Sequence, residues 1–276
     1  MKKKPNGELK LCFRKKQSGK TYIAKQYYKL PLQITVPYYQ DEDGTAFLPL
    51  LNMGGGVLGR DYFKTRILLE KDSRAVITNL SATSIYKAKN GQISLLENEF
   101  ILEDGAVLEY LPGCSIPFKD SALRQRNVFR IKKNSFLFTV DFVTPGRLDM
   151  EEVFSFRSYY SDFRLYVEDK LLVRECADVD PNPEKLGRIG FMEGFYNYIS
   201  VFVYCERIDE SFVQGLQRIC GMAEDVYCGC SQIDSSLITV KILGNNASNI
   251  NGLIDRVWGY ARESLLNKHK VDLRRS

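Results

Sequence analysis

The glycine cluster at residues 54–59 is the part of this sequence that most resembles a chemical motif. Gly54-Gly55-Gly56-Val57-Leu58-Gly59 matches the G-x-G-x-x-G fingerprint of dinucleotide-binding proteins and follows the apolar run Phe47–Leu51. In that fingerprint a helix begins directly after the glycines, because its first N–H groups must meet the pyrophosphate. Residues 62–69 instead have the pattern of a short strand, so we predict that this loop binds no nucleotide.

Other patterns with catalytic potential are equally incomplete. Ser18-Gly19-Lys20-Thr21 resembles the end of a P-loop, but Arg14 stands where the first glycine is required and no helical pattern follows. Glu151 and Glu152 are adjacent, so on a strand they would point to opposite faces and could not flank one glycosidic bond. The single histidine, His269, lies near the end of the sequence, which leaves serine and cysteine nucleophiles without an evident base. The sequence therefore predicts a protein that is not an enzyme.

The seven cysteines favour packing over metal or disulfide chemistry. Their number is odd and they form no C-x-x-C pair, so we expect reduced thiols in a cytoplasmic protein. Cys228 and Cys230 could offer two neighbouring thiolates, but residues i and i+2 of a strand share a face in ordinary packing too. No apolar run follows the N-terminal lysines, and Tyr198–Cys205 is too short to span a bilayer. We expect no stable metal site and no membrane span.

Positive charge is concentrated at the start of the sequence. Lys and Arg number 39 against 34 Asp and Glu, which gives a net charge of +5 over 276 residues. Before residue 30, Glu8 is the only acid among ten lysines and arginines. This segment is either an arm for an acidic partner or a solvated terminal segment, and we favour the second. Beyond it, the sequence shows no basic surface with interleaved aromatic residues, which argues against a nucleic-acid-binding module.

A degenerate repeat of two strands and a turn runs through the first two-thirds of the chain. Turns at residues 71–73, 104–105, 132–134 and 168–169 each separate two runs that alternate with the period of strands. They recur about every 29–35 residues, a spacing typical of stacked units that cannot bury their apolar face alone. Asp-Gly and Asn in the turns indicate tight hairpins. We predict a mainly β (α+β) fold of stacked β-hairpins, either β-helix-like or a sandwich.

The last third of the chain has a different pattern. Strands are predicted at Ile199–Tyr204 and Leu237–Leu243. Residues 212–220 and 250–265 carry apolar stripes of two amphipathic helices, the first with Asp209 as N-cap and Gly221 as C-cap, the second starting behind Ser248.

The proline-containing stretch Asp178–Pro183 is the best candidate for a linker. We therefore divide the chain into a basic N-terminal segment (1–29), a β-rich region (30–180) and an α+β C-terminal region (181–276). The last region is expected to pack on the second, so that they form one structural unit.

An ordered set of motifs carries a resemblance to a known family. Leu48–Asp61, with its four glycines, resembles the glycine-rich motif of the urease accessory protein family UreD, also called UreH. Arg60 and Glu151 stand where many members of that family have glycine. The matches extend from about residue 30 to residue 266, and the others are Ile77–Tyr86, Leu108–Pro112, Ile116–Phe118, Asp141, Pro145–Arg147, Glu152, Phe154, Trp258 and Arg262.

The resemblance implies a maturation factor without catalytic activity of its own. Members of the family bind apo-urease and form a complex with UreF and the GTPase UreG, to which UreE delivers nickel. That complex couples GTP hydrolysis to nickel insertion into the urease active site. The resemblance also implies a mainly β fold with helices near the C-terminus, no tightly bound cofactor, and transient passage of Ni²⁺ through an internal channel.

A path that must release Ni²⁺ is better lined by scattered carboxylates than by a His/Cys cage, whose affinity for nickel would be high. We therefore expect the acids of the matched motifs to line or edge such a path: Asp61, Glu109, Asp141 and Glu152. The alternative is that they cap turns or pair with Arg60 and Arg147; for Asp141, which lies in an apolar run, we favour the path. A structural role is assigned to the remaining motif residues: Gly55, Gly56, Gly59, Gly146 and Arg147.

Two other classes of function remain open at this point. A carbohydrate-active hydrolase on a β scaffold would have to work with carboxylates alone, held about 5–10 Å apart in a cleft. A nucleic-acid-binding module would use the basic N-terminal segment, and its binding would collapse with added salt.

Overall fold

The computed structural model describes residues 4–273 except 90, 180, 182–185, 187 and 189–191. Strands make up 50% of the chain and helices 14%. The strands are β1 (Gly7–Lys15), β2 (Thr21–Lys29), β3 (Leu32–Ile34), β4 (Ala46–Asn52), β5 (Tyr62–Leu69), β6 (Arg74–Asn79), β7 (Thr83–Ile85), β8 (Ser94–Leu102), β9 (Val107–Leu111), β10 (Ser115–Pro117), β11 (Ala122–Ile131), β12 (Phe136–Val143), β13 (Ser158–Val167), β14 (Lys170–Val179), β15 (Asn197–Tyr204), β16 (Val226–Asp234) and β17 (Leu237–Gly244). The described helices are α1 (Glu210–Gly221) and α2 (Ala247–Ala261), with a π-helical turn at Arg262–Leu266 and a 3₁₀ turn at Leu148–Met150.

The strands form two stacked sheets. Sheet A has seven strands in the order β14-β13-β11-β8-β5-β1-β2. Sheet B has ten, with the main path β16-β17-β15-β12-β9-β6-β4-β3 and with β7 and β10 beside it. The strands β5, β8, β11 and β13 of sheet A are parallel, and so are β4, β6, β9 and β12 of sheet B. Each coil gives one strand to each sheet, so the fold is a β-solenoid-like stack, which confirms the mainly β prediction.

The predicted repeat of two strands and a turn is present in the structure, but most of its turns are not hairpins. The turns at residues 71–73, 104–105 and 132–134 are corners at which the chain leaves sheet A and enters sheet B. Asp72 and Gly105 have the positive φ that was expected, 57° and 68°. Because each strand pairs in parallel with the next coil, these residues turn the chain between layers rather than between neighbours. Only the turn at 168–169 of these four closes an antiparallel hairpin, β13–β14.

Three layers enclose two cores. The inner core lies between the sheets and contains residues such as Leu11, Phe100 and Phe129. The outer core lies between sheet B and the helices and contains residues such as Val201 and Trp258. Strands of sheet B therefore present apolar side chains on both faces, whereas the strands of sheet A present them mainly on the inner face.

Residues 7–15 and 21–29 are strands of sheet A rather than a solvated terminal segment. Leu9, Leu11 and Phe13 of β1 are at most 4% exposed and belong to the inner core. Strand β2 pairs antiparallel with β1 and forms the edge of the sheet. The preference for a solvated segment is therefore wrong for these strands, because alternate residues of β1 are apolar and face inward. The division of the chain into three regions stays a prediction.

The predicted linker and helix caps need three corrections. Strand β14 runs through Asp178 to Val179, so these residues are not linker; Asp180 and residues 182–183 lie outside the described residues. Asp209 is the N-cap of α1, as predicted, and accepts a hydrogen bond from the Phe212 N–H at 2.8 Å. Gly221, however, is the last helical residue of α1 rather than its C-cap. The N-cap of α2 is Asn246, not Ser248.

The glycine-rich motif forms the loop between β4 and β5, and no helix follows it. Gly56 has a φ of 153°, and a Cβ there would lie 2.5 Å from the carbonyl oxygen of Ser84. Gly146 has a φ of 135°, and its Cβ would lie 2.2 Å from the carbonyl oxygen of Glu152. Both glycines thus allow close approach of two backbone segments.

The two departures from the family pattern both have a left-handed backbone. Arg60 has a φ of 76° and Glu151 a φ of 57°. Glu151 lies at the end of the 3₁₀ turn rather than on a strand, which corrects the expectation for Glu151 and Glu152. Glycine relieves the Cβ clash of this conformation, which gives a steric reason for the glycine that the family resemblance implies at these two positions.

We expect Glu151→Gly to raise the free energy of unfolding by roughly 0.5–1 kcal/mol, because relief of the left-handed strain exceeds the added entropy of the unfolded chain. Urea unfolding measures this change. Glu151→Ala is the matched control, since it keeps a Cβ, and it should give no gain. Equal stabilisation by both variants would contradict the steric explanation.

Candidate functional site

The space between the two sheets is divided into an apolar half and a polar half. In sheet A the strand register stacks Leu11, Ile67, Phe100 and Phe129 in one row. The next inward row, towards the strand starts, contains Thr65, Asn98 and Asn127, and the row beyond it contains Gln125 and Ser161. Because stacked strands are in register, Thr65, Asn98 and Asn127 lie side by side on three neighbouring strands, and Gln125 and Ser161 lie side by side in the next row. We call these two groups the polar lane.

The apolar half is filled by stacked rings. Phe100 and Phe129 stack with their ring centroids 4.7 Å apart, and Phe163 stacks on Phe202 of sheet B at 4.0 Å. The first contact lies within sheet A, and the second joins sheet A to sheet B.

The polar half borders an inner cavity of about 110 Å³. Its walls include Thr65, Asn98, Gln125, Asn127 and Asp141. The Asn98 amide donates to Asn127 Oδ1 at 2.9 Å, which orients both side chains along the lane. Hydroxyl, amide and carboxylate oxygens are therefore the ligand atoms on offer in this cavity, a set that suits hard cations and water.

Asp141, on strand β12, is the acid of this lane. Ser161 Oγ donates to its Oδ2 at 3.0 Å and Gln125 Nε2 approaches its Oδ1 at 3.5 Å. Asp141 also borders a second, smaller cavity lined by Ser161, Glu175 and Tyr198. Burial raises the pKa of Asp141, and the hydrogen bonds from Ser161 and Gln125 only partly oppose this effect.

Beyond Asp141 lies a second acid that the sequence interpretation missed. Glu175 of β14 accepts hydrogen bonds from Tyr198 Oη at 2.9 Å and Ser200 Oγ at 2.5 Å, and it pairs with Lys241 Nζ. Burial lowers the pKa of Lys241 to about 8, although Asp141 opposes this shift. The register Asp141–Ser200–Lys241 across three strands of sheet B brings these residues together.

An outer cavity of about 610 Å³ lies between sheet B, helix α2 and the segment 270–273. It shares Asn79, Pro112, Gly113, Val140 and Phe142 with the inner cavity. Its other walls include Cys114 and Asp255. The outer cavity, the inner cavity and the small cavity thus lie next to one another in that order, from the helical layer to the interior. Asp141 lines both the inner cavity and the small cavity.

Glu109 lies elsewhere, in the outer core. It is fully buried, and its Oε2 accepts a hydrogen bond from Trp258 Nε1 at 2.6 Å and lies 3.6 Å from Arg262 Nη1. Arg262 Nη2 donates to both carboxylate oxygens of Asp41 at 2.6 Å. Lys268 Nζ lies 3.1 Å from Asp41 and 3.0 Å from Asp43. We call Asp41, Asp43, Glu109, Arg262 and Lys268 the buried ionic cluster.

Burial and charge pairing shift the pKa values of the acids in this cluster in opposite directions. Burial raises the pKa of Glu109, and Arg262 and Lys268 only partly offset it. For Asp43 burial is again the largest effect, but hydrogen bonds from Thr45, Lys268 and Arg74 outweigh it and hold the pKa well below its usual range. The cluster joins the helical layer to the loop before β4. Glu109 therefore has a structural role through Trp258 and Arg262.

The other two predicted path residues lie in loops. Asp61 accepts hydrogen bonds from Asn6 Nδ2 at 2.6 Å and from the Leu58 N–H at 2.7 Å. Glu152 pairs with Arg147 through two hydrogen bonds, of 2.9 and 2.5 Å. Neither residue lines the three cavities described above. A role for Asp61, Glu109 or Glu152 in a nickel path stays a prediction.

The cysteine thiols form neither a disulfide nor a metal site in the part of the chain that the structure describes. All seven cysteines are free, and Cys228 Sγ lies 3.2 Å from the carbonyl oxygen of Cys220, against α1. Within the ranges that the structure describes, no group of three or more His, Cys, Asp and Glu side chains could hold a metal ion. None of the described helices has the length and apolarity needed to cross a membrane.

Comparison with known proteins shows to which family the chain is similar. The family model for the UreD urease accessory protein matches residues 5–276. The chain belongs to the UreD urease accessory protein family. It is 31% identical to the urease accessory protein UreD of Acetivibrio thermocellus over 92% of this chain and 97% of that protein. The corresponding protein of Bacillus cereus is 29% identical over 99% of both chains. These relatives are named as accessory proteins, in agreement with a chain that is not an enzyme.

Arg262 supplies the cation that Glu109 and Asp41 share, so Arg262→Met should lower the free energy of unfolding by about 3–5 kcal/mol, the usual cost of breaking a buried ion pair. Urea unfolding measures the loss. Adding Glu109→Gln to Arg262→Met should recover part of it, because one uncompensated charge disappears. Arg218→Met removes an exposed arginine of α1 and serves as control. If it cost as much as Arg262→Met, the cluster would not be the cause.

Because Asp141 is buried, we expect the free energy of unfolding to depend on pH through this residue. Its raised pKa means that the native state holds this proton at a higher pH than the unfolded state, so the carboxylate costs stability as pH rises through the native pKa. Asp141→Asn should therefore stabilise the protein, by an amount that grows as pH rises above the ordinary aspartate pKa of about 3.9 and levels off above the raised native pKa. Chemical denaturation at several pH values measures the difference.

Asp162 provides a control of opposite sign. Burial alone would raise its pKa, but hydrogen bonds from Arg164 and Arg174 outweigh burial and lower it. Its carboxylate therefore contributes stability that is present above the ordinary aspartate pKa and lost as pH falls through the lowered one. Asp162→Asn should destabilise the protein throughout the pH 5–8 range. The same pH trend for Asp141→Asn and Asp162→Asn would contradict both assignments.

Proposed function

We propose that this chain is a chaperone subunit for urease maturation in the cytoplasm, acting on apo-urease in a complex with UreF and the GTPase UreG. In this proposal UreE donates the nickel to the complex, and the present chain guides it without breaking a covalent bond. Membership of the UreD family supports the general role. The single structural observation that carries the more specific role is the position of Asp141 between two internal cavities.

The first step of the argument concerns the ligand atoms. Ni²⁺ that must be passed on needs partners that hold it weakly, whereas imidazole and thiolate hold it tightly. The inner cavity offers Asp141 together with the amide and hydroxyl oxygens of Asn98, Asn127 and Thr65. One carboxylate among neutral oxygen ligands attracts a divalent cation and still allows water to replace it.

The second step concerns the route. The outer cavity is the widest of the three neighbouring spaces and lies under helix α2, so it is the natural entrance or exit for a hydrated ion. The walls that it shares with the inner cavity lead to Asp141. The small cavity then leads from Asp141 to Glu175. The proposed path thus has two carboxylates in series, each close to neutral hydrogen-bond partners.

The third step concerns Lys241, which pairs with Glu175. An ammonium beside a carboxylate occupies the position that a cation would take, so Ni²⁺ must displace Lys241 or meet it in its neutral form. The lowered pKa of Lys241, about 8, makes loss of its proton accessible near neutral pH. Glu175 therefore binds a passing cation only briefly, which suits transfer better than storage.

The remaining predicted acids support the alternative interpretation in which carboxylates hold the scaffold. Asp61 fixes the glycine-rich loop, Glu152 fixes the loop around Arg147, and Glu109 anchors α2 through Trp258. We therefore centre the path on Asp141 and Glu175. Transient Ni²⁺ is the cargo of this chain, and we assign it no resident cofactor.

The experiment replaces Asp141 with asparagine and measures the nickel content of urease. Urease is co-expressed with the four accessory proteins, then purified, and its nickel is determined by mass spectrometry. We expect Asp141→Asn to reduce nickel per urease active site several-fold while the complex of this chain with UreF and UreG still assembles. Asp169→Asn, in an exposed turn, is the matched control and should behave as the wild type.

Two outcomes would count against the proposal. Normal nickel content with Asp141→Asn in a normally assembled complex would reject the path through the inner cavity. Nickel content that does not depend on the presence of the wild-type chain at all would reject the maturation role itself.

A further inference from the structure

The outer face of sheet A differs from every other surface of the described chain. Sheet B is covered by α1 and α2, but within the described ranges no helix packs on the outer face of sheet A. This face is formed by the side chains that alternate with the inner rows of β1, β5, β8, β11, β13 and β14. We define the basic face by Lys10, Arg66, Arg124, Arg126, Arg130 and Arg174.

Strand register assembles this face from residues that are far apart in sequence. Lys10 lies beside Arg66, and Arg126 lies beside Asp162 on the neighbouring strand. No strand contributes more than three of these bases, and β8 and β13 contribute none of them. A basic surface beyond residue 30 therefore arises from the strand register, and the expectation that none exists there is wrong.

Two acids on this face each contact several bases, whereas Glu8 pairs only with Lys10, at 2.9 Å, and Glu97 accepts a hydrogen bond from Tyr62 Oη at 2.6 Å. Asp162 is 1% exposed and lies 2.6 Å from Arg164, 2.9 Å from Arg174 and 3.7 Å from Arg126. Glu99 lies 3.3 Å from Arg66 and 3.6 Å from Arg130. A carboxylate shared among two or three guanidinium groups neutralises only one of them, so the face keeps an excess of positive charge.

The arginines are held in place and yet remain accessible. Arg124 lies over the ring of Tyr160 at 5.3 Å and Arg130 over that of Tyr166 at 4.5 Å. Arg66, Arg126, Arg130 and Arg174 still keep 42–54% of their side-chain surface exposed. Side chains that are fixed before binding lose less entropy on binding, and arginine with tyrosine is the combination enriched where proteins bind each other strongly.

We propose that the basic face is a docking surface for a folded protein that presents a cluster of Asp and Glu side chains. Charge complementarity requires a partner with a negatively charged surface, and guanidinium groups bind carboxylates through paired hydrogen bonds. The regular, rigid sheet favours a folded surface over a flexible peptide. Glu99 and Asp162 within the face would repel closely packed phosphates, so the pattern favours a protein surface over a nucleic acid.

This inference rests on the proposed function in one respect: the partner is sought among the proteins of urease maturation. The probes are apo-urease, UreF, UreG and UreE from the same organism, each purified and tested separately against the full chain. Binding is measured by biolayer interferometry at low and at physiological salt. Arg124→Glu/Arg126→Glu reverses two exposed charges at the centre of the face.

Lys71→Glu/Lys89→Glu is the matched control, because it makes the same change in net charge at exposed positions away from the sheet face. We expect at least one probe to bind the wild type and the control alike, and the face variant at least about tenfold more weakly. That binding should also weaken as salt is added, since the charges are exposed. Arg124→Gln/Arg126→Gln, a milder change, should give an intermediate loss and keeps the test valid if the reversed variant misfolds.

Equal binding of every probe to the wild type, the control and both face variants would overturn the proposal. Absence of binding to any probe would overturn it too. Preferential binding of a single-stranded 20-mer DNA through the same arginines would replace it with the nucleic-acid alternative. A wild-type chain that binds a probe through the face but does not raise the nickel content of urease would leave the docking surface standing and reject the proposed function.

Discussion

Parallel strands stacked in register are the constraint on which the rest of this structure depends. Each coil places equivalent residues directly above those of the previous coil, about 4.8 Å away. A residue type that recurs at one position therefore becomes a continuous row through the protein. One inner row becomes the ring stack of Phe100 and Phe129, the next becomes the polar lane of Asn98 and Asn127, and outer rows become the basic face.

The helical layer imposes a different requirement on sheet B. Its outer face is apolar where α1 and α2 pack, but Glu109 and Arg262 are buried there as well. A buried charge is tolerated only with its counter-charge in place, so the cluster demands that the loop with Asp41, strand β9 and the turn after α2 occupy one defined arrangement. That arrangement positions α2, and with it one wall of the outer cavity.

Local patterns in the sequence were enough to predict the elements, whereas relations between strands were not. Alternation and apolar stripes identified the strands, both helices and the Asp209 cap because these signals lie within one element. The sequence predicts hairpins at Asp72 and Gly105 rather than corners, because a corner and a hairpin both use positive φ. Asp141 was singled out as an acid in an apolar run, but Glu175 and Lys241 were missed because register alone brings them to it.

Strand β13 shows how closely the two faces of sheet A are related. Ser161 points inward and donates to Asp141, while the next residue, Asp162, points outward and binds the arginines of the basic face. The alternation of a strand leaves no freedom to move one of these side chains without the other. Strand β13 is thus held in place on both faces, by the inner hydrogen bond of Ser161 and by the outer ion pairs of Asp162. A carboxylate as costly as Asp141 stays in place because its partner Ser161 is anchored through the backbone of Asp162 and the ring stack of Phe163.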